Sequence, residues 1–176
     1  MTLAPDFDVI DMYDTPHKLS DYRGKKVMLS FYRYASCTFC NLRIAELIRA
    51  YPEFSKQNME FLAVFQSSKD KVLEHAGALK PPFPNIPDPK RALYKLYGVQ
   101  HSSRWKYFVG LLHFNKLITA FSKGLIKGKS DGDKFLIPAD FLINENQIID
   151  TAYYGKDISD HLPLVVIRNF INRGEG

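Results

Sequence analysis

The sequence predicts an α/β fold in which a mixed central β-sheet is flanked by helices on both faces. Two apolar runs suited to buried strands, residues 25–34 and 60–66, are each followed by a helical pattern. That alternation predicts parallel strand pairing. Near the carboxyl end, residues 139–154 contain two further strand patterns joined by a tight turn at 144–146, which predicts an antiparallel hairpin.

The first predicted helix begins at Thr38, directly after the first strand. Its apolar residues recur at three-residue steps between polar neighbours, as in an amphipathic helix: Leu42, Ala45 and Ile48. Pro52 has no backbone N–H, so we expect this helix to end there. A second helix is predicted from the Ser67–Ser68 pair, a suitable N-cap, to about residue 78.

Proline and glycine define the remaining elements. The five prolines within residues 81–89 predict a rigid loop rather than a helix or a central strand. A short helix over residues 90–97 should end at Gly98. The last helix is predicted to begin near residues 159–160, with Pro163 in its first turn.

Length and charge predict one domain, residues 1–176, that contains an unusual segment. The net charge is +5, and residues 99–135 hold seven basic but only two acidic side chains, which accounts for the whole excess. Aromatic residues alternate with these charges, so we predict a basic, aromatic helical insertion before the last hairpin. Either it is a solvated face beside an aromatic core stripe, or it binds an acidic partner, a membrane surface or nucleic acid. No nucleic-acid motif accompanies it.

The chain is expected to be cytoplasmic. The amino-terminal residues do not resemble a secretory signal, and no apolar run approaches the roughly 20 residues that span a bilayer. In a reducing compartment, two cysteines favour redox or metal chemistry over a permanent disulfide.

The two cysteines, Cys37 and Cys40, occur in "YASCTFCN" at the predicted junction of strand and helix. Free N–H groups at a helix start stabilise an anion, so a cysteine there should have a lowered pKa. The spacing allows one sulfur to attack and the other to resolve the intermediate. Arg33 and Arg43 could add positive potential.

Other interpretations of the pair are weaker but remain. Buried cysteines can be packing residues. Structural zinc usually needs four ligands, and the five histidines are scattered, so we predict neither a metal nor another cofactor. No partner histidine can be named for a cysteine hydrolase.

Several motifs in this order resemble the thioredoxin superfamily, and most closely its peroxiredoxin-like (AhpC/TSA, redoxin) branch. They are "APDFDVID" with "HKLSDYRGKKVMLSFYR", "FPNIPDPKRALYKLYGV", and "IPADFLINENQII". The resemblance implies a thioredoxin-like fold. It covers most of the chain outside residues 99–135 and the last helix.

The resemblance also implies residue roles. Cys40 falls at the peroxidatic position, Cys37 replaces the motif's threonine and Arg33 its proline. The peroxide-holding arginine would align near Pro138, which instead matches the cis-proline that thioredoxins place against their cysteines. A strand-edge proline is the alternative. Substrate positioning is thus assigned to Pro138, Arg33, Thr38 and Phe39.

Three functional hypotheses follow. The first is a thiol-disulfide oxidoreductase that cycles Cys37 and Cys40 between dithiol and disulfide. The second is a thiol peroxidase with Cys40 peroxidatic and Cys37 resolving, and the third is a non-enzymatic binding module that uses the basic insertion. The expected partners are a disulfide or peroxide substrate and a thiol reductant, either a thioredoxin-type protein or a small thiol. Neither nucleic acid nor a membrane span is expected, and a homodimer is compatible with the family.

Overall fold

A computed structural model describes residues 2–99 and 132–173. The strands are β1 (Thr2–Leu3), β2 (Asp8–Ile10), β3 (Pro16–Lys18), β4 (Lys26–Phe31), β5 (Met59–Phe65), β6 (Asn85–Pro87), β7 (Ala139–Ile143) and β8 (Ile148–Tyr154). The α-helices are α1 (Thr38–Ser55), α2 (Lys69–His75), α3 (Ala92–Leu96) and α4 (Leu164–Asn172). Short 3-10 turns occupy Leu19–Tyr22 and Gly77–Leu79.

The central sheet has the strand order β1-β8-β7-β4-β5-β6. The pairs β4–β5 and β5–β6 are parallel, whereas β4–β7, β7–β8 and β1–β8 are antiparallel. β2 and β3 form a separate hairpin. The predicted mixed sheet and its carboxyl-terminal hairpin are therefore confirmed.

Alternation along the strands divides the core into two layers, one on each face of the sheet. On one face Met28, Tyr32 and Phe65 pack beneath α1, with residues of α2 and α4. On the other face Phe31 and Phe141 pack against Tyr94 and neighbouring residues of α3. Burial of each such side chain contributes about 2 kcal/mol. The predicted helices on both faces are also confirmed.

The first helix does not end at Pro52, as the sequence suggested, but continues to Ser55. The reason lies in the last turn, where Phe54 is fully buried and its ring lies 5.4 Å from that of Phe61. Burial of this ring offsets the backbone hydrogen bond that Pro52 cannot make.

Three further boundaries differ from the sequence prediction. The helix after Ser68 is shorter than expected, since α2 ends at His75. β6 lies within the proline-rich loop, where the edge of the sheet tolerates proline because one side needs no donor. The last helix begins only at Leu164, and Pro163 is its extended N-cap.

The predicted insertion at residues 99–135 falls largely outside the described residues and stays a prediction, as does the single-domain assignment. Within residues 2–99 and 132–173, no helix has the length and hydropathy needed to cross a membrane.

Candidate active site

Cys37 and Cys40 lie where the chain leaves the sheet and enters α1. The turn after β4 is closed by a hydrogen bond of 2.9 Å from the Cys37 N–H to the Tyr34 carbonyl. Cys37 is the N-cap residue of α1, with extended backbone angles (φ −67°, ψ 118°), and Cys40 is the third residue of the helix. Both are free thiols, with only 2% and 1% of each residue exposed. The predicted strand-to-helix location is thus what the structure has.

The environment of Cys37 favours its thiolate. Burial by itself raises the pKa of this thiol, because it disfavours a charge. A hydrogen bond from the Cys40 thiol, the charge of Arg33, and the backbone N–H groups of Cys40 and Phe39 act in the other direction and lower the pKa to about 6. The N–H groups belong to the first turn of α1, where an anion is stabilised.

Arg33 is a buried part of the site, with 2% of the residue exposed. Its Nη1 donates to Cys37 Sγ at 3.4 Å, and its Nη2 donates to the Lys134 carbonyl. The guanidinium carbon also lies 5.0 Å from the centre of the Tyr34 ring. Because a buried charge is costly unless it is paired, these contacts fix the guanidinium beside the sulfur.

The pKa of Cys40 is shifted in the opposite direction from that of Cys37. Burial raises its pKa, and so do the hydrogen bond with Cys37 and the charge of the Cys37 thiolate. Two close thiols share a proton rather than both ionising, and here Cys40 retains it. The pair therefore consists of a thiolate at Cys37 and a protonated donor at Cys40.

The other predicted site residues are distributed around the pair. Thr38 and Phe39 separate the two cysteines in the sequence and lie in the first turn of α1. Thr38 is half-buried, and Phe39 is buried. Arg43 does not face the thiols: its guanidinium donates to the Leu162 carbonyl at 2.6 Å and pairs with Glu46 at 2.7 Å.

Pro138 is buried and directly precedes β7. Its neighbour Ala139 pairs with Phe31, the last residue of β4, so Pro138 lies at the same end of the sheet as the turn that leads to Cys37. The peptide bond before it is trans, since no cis bond occurs in the described part of the chain, so the expected cis-proline is a wrong prediction. A trans bond is the lower-energy form for X-Pro. The Pro138 carbonyl accepts a hydrogen bond of 2.9 Å from the Gly155 N–H. Its positioning role stays a prediction.

A buried polar cluster under α1 was missed by the sequence analysis. Asp140, on β7, accepts hydrogen bonds from the Leu162 N–H at 2.7 Å and from His161 Nδ1 at 3.2 Å. The His161 ring packs against that of Tyr32, with centroids 4.9 Å apart. Burial acts to raise the pKa of Asp140, but His161 and Arg43 outweigh it and hold the pKa below its usual value. The signal in the sequence was a lone carboxylate within the apolar strand "ADFLI".

Together, a mixed sheet and a dithiol at the start of a helix are typical of the thioredoxin-fold class of proteins. No group of three or more metal-ligating side chains stands together in the ranges that the structure describes. The chain belongs to the AhpC/TSA family, whose model matches residues 2–152.

Individual relatives include both a thiol-disulfide oxidoreductase and a 2-Cys peroxiredoxin. The thiol-disulfide oxidoreductase ResA of Geobacillus thermodenitrificans is 35% identical over 54% of this chain and 55% of its own length. The chloroplastic 2-Cys peroxiredoxin BAS1 of Spinacia oleracea is 32% identical over 54% of this chain and 40% of its own length. This chain thus spans about half the length of these curated relatives.

The crystal structure of peroxidoxin BcpB from Mycobacterium tuberculosis resembles this fold with a TM-score of 0.72. The match covers 99% of this chain and 97% of that one at 14% identity. This similarity confirms the thioredoxin-like fold.

Proposed function

We propose that this protein is a thiol-disulfide oxidoreductase in which Cys37 is the attacking thiolate and Cys40 the resolving thiol. The observation that carries the proposal is the setting of Cys37 Sγ, which accepts a hydrogen bond from Arg33 Nη1 at 3.4 Å at the start of α1. This setting lowers the pKa of Cys37 to about 6, whereas burial and the neighbouring thiolate raise the pKa of Cys40. At neutral pH the nucleophile is the thiolate, so Cys37 reacts first.

In the proposed reaction the Cys37 thiolate attacks one sulfur of a substrate disulfide, and the other sulfur leaves as a thiolate that takes up a proton. Cys40 then loses its proton and attacks Cys37 Sγ. The substrate leaves as a dithiol with two additional electrons, and Cys37 and Cys40 remain as a disulfide. A thiol reductant, either a thioredoxin-type protein or a small thiol, restores the dithiol.

The test compares Cys37→Ser and Cys40→Ser in reduction of insulin disulfides. Both variants should lose turnover, but only Cys40→Ser should accumulate a mixed disulfide with insulin, visible on a non-reducing gel. A mixed disulfide that accumulates in Cys37→Ser, and not in Cys40→Ser, would reverse the two roles.

Peroxide reduction is the second candidate, and membership of the AhpC/TSA family favours it. In that scheme Cys40 is oxidised to sulfenic acid and Cys37 resolves it. The raised pKa of Cys40 argues against this assignment, because a peroxidatic cysteine reacts as its thiolate. Mass spectrometry of Cys37→Ser after brief peroxide exposure separates the schemes: a Cys40 that stays reduced excludes the second.

Cellular setting and assembly belong to the same proposal. We also propose a reducing compartment such as the cytoplasm, where a permanent disulfide between the two cysteines is disfavoured. A homodimer would be detected by light scattering at twice the chain mass of 20.3 kDa. The binding-module hypothesis depends on the basic insertion at residues 99–135. It predicts that the biological activity is retained when both cysteines are replaced by serine.

A further inference from the structure

The short segment of residues 132–135 lies next to the reactive thiol through Arg33. One end of the guanidinium, Nη1, donates to Cys37 Sγ at 3.4 Å, while Nη2 donates to the Lys134 carbonyl. The planar guanidinium holds its donors in a fixed geometry, so the position of the carbonyl restricts the direction of the donor at the sulfur.

Gln66 holds this segment from the other side. Its Nε2 donates to the Asp133 carbonyl at 2.8 Å, and its Oε1 accepts from the Asp133 N–H at 3.0 Å. Gln66 directly follows β5, and its own backbone N–H donates to the Arg33 carbonyl at 3.1 Å. Only 5% of the residue is exposed, and these bonds satisfy both polar atoms of its buried amide.

The contact between Gly132 and the Gln66 side chain is closely packed. A Cβ on Gly132 would lie 2.7 Å from Gln66 Cδ and 2.8 Å from Gln66 Cγ, closer than carbon atoms approach. Glycine at 132 therefore lets the segment lie directly on the Gln66 side chain. The Asp133 carboxylate, in turn, accepts from the Phe135 N–H at 2.8 Å and pairs with Arg91 at 3.5 Å.

We propose that Gln66 is a positioning residue for the Cys37 thiolate. Its amide holds the 132–135 segment, the segment holds the Lys134 carbonyl, and that carbonyl directs the Arg33 guanidinium toward Cys37 Sγ. Gln66 does not act on the sulfur itself. The proposal rests on the assignment of Cys37 as the attacking thiolate and adds the residue that maintains its cationic partner.

The experiment is a double-mutant cycle on the reduced protein, read by the ultraviolet absorbance of the thiolate as a function of pH. Gln66→Met keeps the length of the side chain but removes both hydrogen bonds. Arg33→Met should raise the Cys37 pKa by about 1 to 2 units, since it removes an adjacent charge. Gln66→Met should raise it by about half as much, and the double variant should titrate like Arg33→Met alone.

Two further variants separate positioning from general damage. Gln147 is also a buried glutamine, and its Nε2 donates to the Leu19 carbonyl at 2.6 Å. Gln147→Met should therefore lower stability without changing the thiolate titration. Gly132→Ala keeps the amide of Gln66 but places a Cβ against its side chain, which separates the segment from Gln66. It should therefore raise the Cys37 pKa, as Gln66→Met does.

The proposal is overturned if Gly132→Ala and a folded Gln66→Met titrate like the wild type. It is equally overturned if the shift of Gln66→Met adds in full to that of Arg33→Met, because Gln66 would then act independently of Arg33. If Gln66→Met does not fold, Gly132→Ala alone decides the outcome. The titration requires no turnover, so a protein without disulfide reductase activity refutes the proposed function and leaves this result readable.

Discussion

At the scale of single residues, Cys37 and Cys40 are equally buried but differ in the groups that face each sulfur. The Cys37 sulfur accepts hydrogen bonds from Arg33, from the Cys40 thiol and from the first turn of α1. The motif predicted both cysteines and their place at the helix start, because backbone connectivity fixes that location. It could not predict the direction of the Arg33 side chain, which depends on the Lys134 carbonyl about a hundred residues later.

Alkylation as a function of pH tests this asymmetry. We expect the rate of Cys37 modification by iodoacetamide to rise as pH increases through about 6 and then to level off, because the thiolate is the reacting form. Cys40 should stay unmodified over the same range, since its pKa is raised. Quenched reactions followed by peptide mass spectrometry measure both sites. Faster modification of Cys40 at neutral pH would contradict the assignment.

At the scale of elements, α1 shows why local rules did not define every boundary. Pro52 is a valid local stop signal, yet the helix continues because Phe54 contributes to a core that only the folded sheet creates. Tertiary context also explains β6, where Pro87 is tolerated because β5 is the sole neighbour of this strand in the described sheet. The hydrophobic patterns predicted β4, β5 and the β7–β8 hairpin well. β4, β5 and β7 are almost entirely buried, and β8 mostly alternates between half-buried and exposed residues.

Two substitutions in the last turn of α1 should have opposite effects. Pro52→Ala restores an N–H that can donate to the Ile48 carbonyl, and we expect the free energy of unfolding to rise by about 1 kcal/mol. Phe54→Ala empties a core position and should lower it by about 3 kcal/mol. Urea denaturation measures both. Neither variant should change the Cys37 pKa, because both sites lie several turns from Cys40. A destabilised Pro52→Ala would show that the proline is favourable there.

At the scale of the whole molecule, Asp140 connects parts of the chain that lie far apart in sequence. It lies on β7 beside Ser30 of β4, and it accepts hydrogen bonds from His161 and the Leu162 N–H, just before α4. The nearby Arg43 of α1 donates to the carbonyl of Leu162. A sequence pattern shows only that a carboxylate interrupts an apolar strand. Its partners come from three separate segments, so their meeting is a property of the tertiary structure.

This carboxylate should make part of the stability depend on pH. The folded pKa of Asp140 is lowered, so its stabilising effect is complete above the unfolded aspartate pKa of about 3.9 and is lost as pH falls through the lower folded value. Asp140→Asn removes the charge opposite Arg43 and His161, and we expect it to lower the free energy of unfolding by about 3 kcal/mol at neutral pH. The difference between the variant and the wild type in the free energy of unfolding should narrow as pH falls below about 3.9, because the unfolded wild-type chain then binds a proton that the folded carboxylate does not. Urea unfolding of both proteins from neutral pH down to about pH 3 measures this difference. A difference that stays constant over that range would mean that Asp140 contributes through packing and hydrogen bonds rather than through its charge.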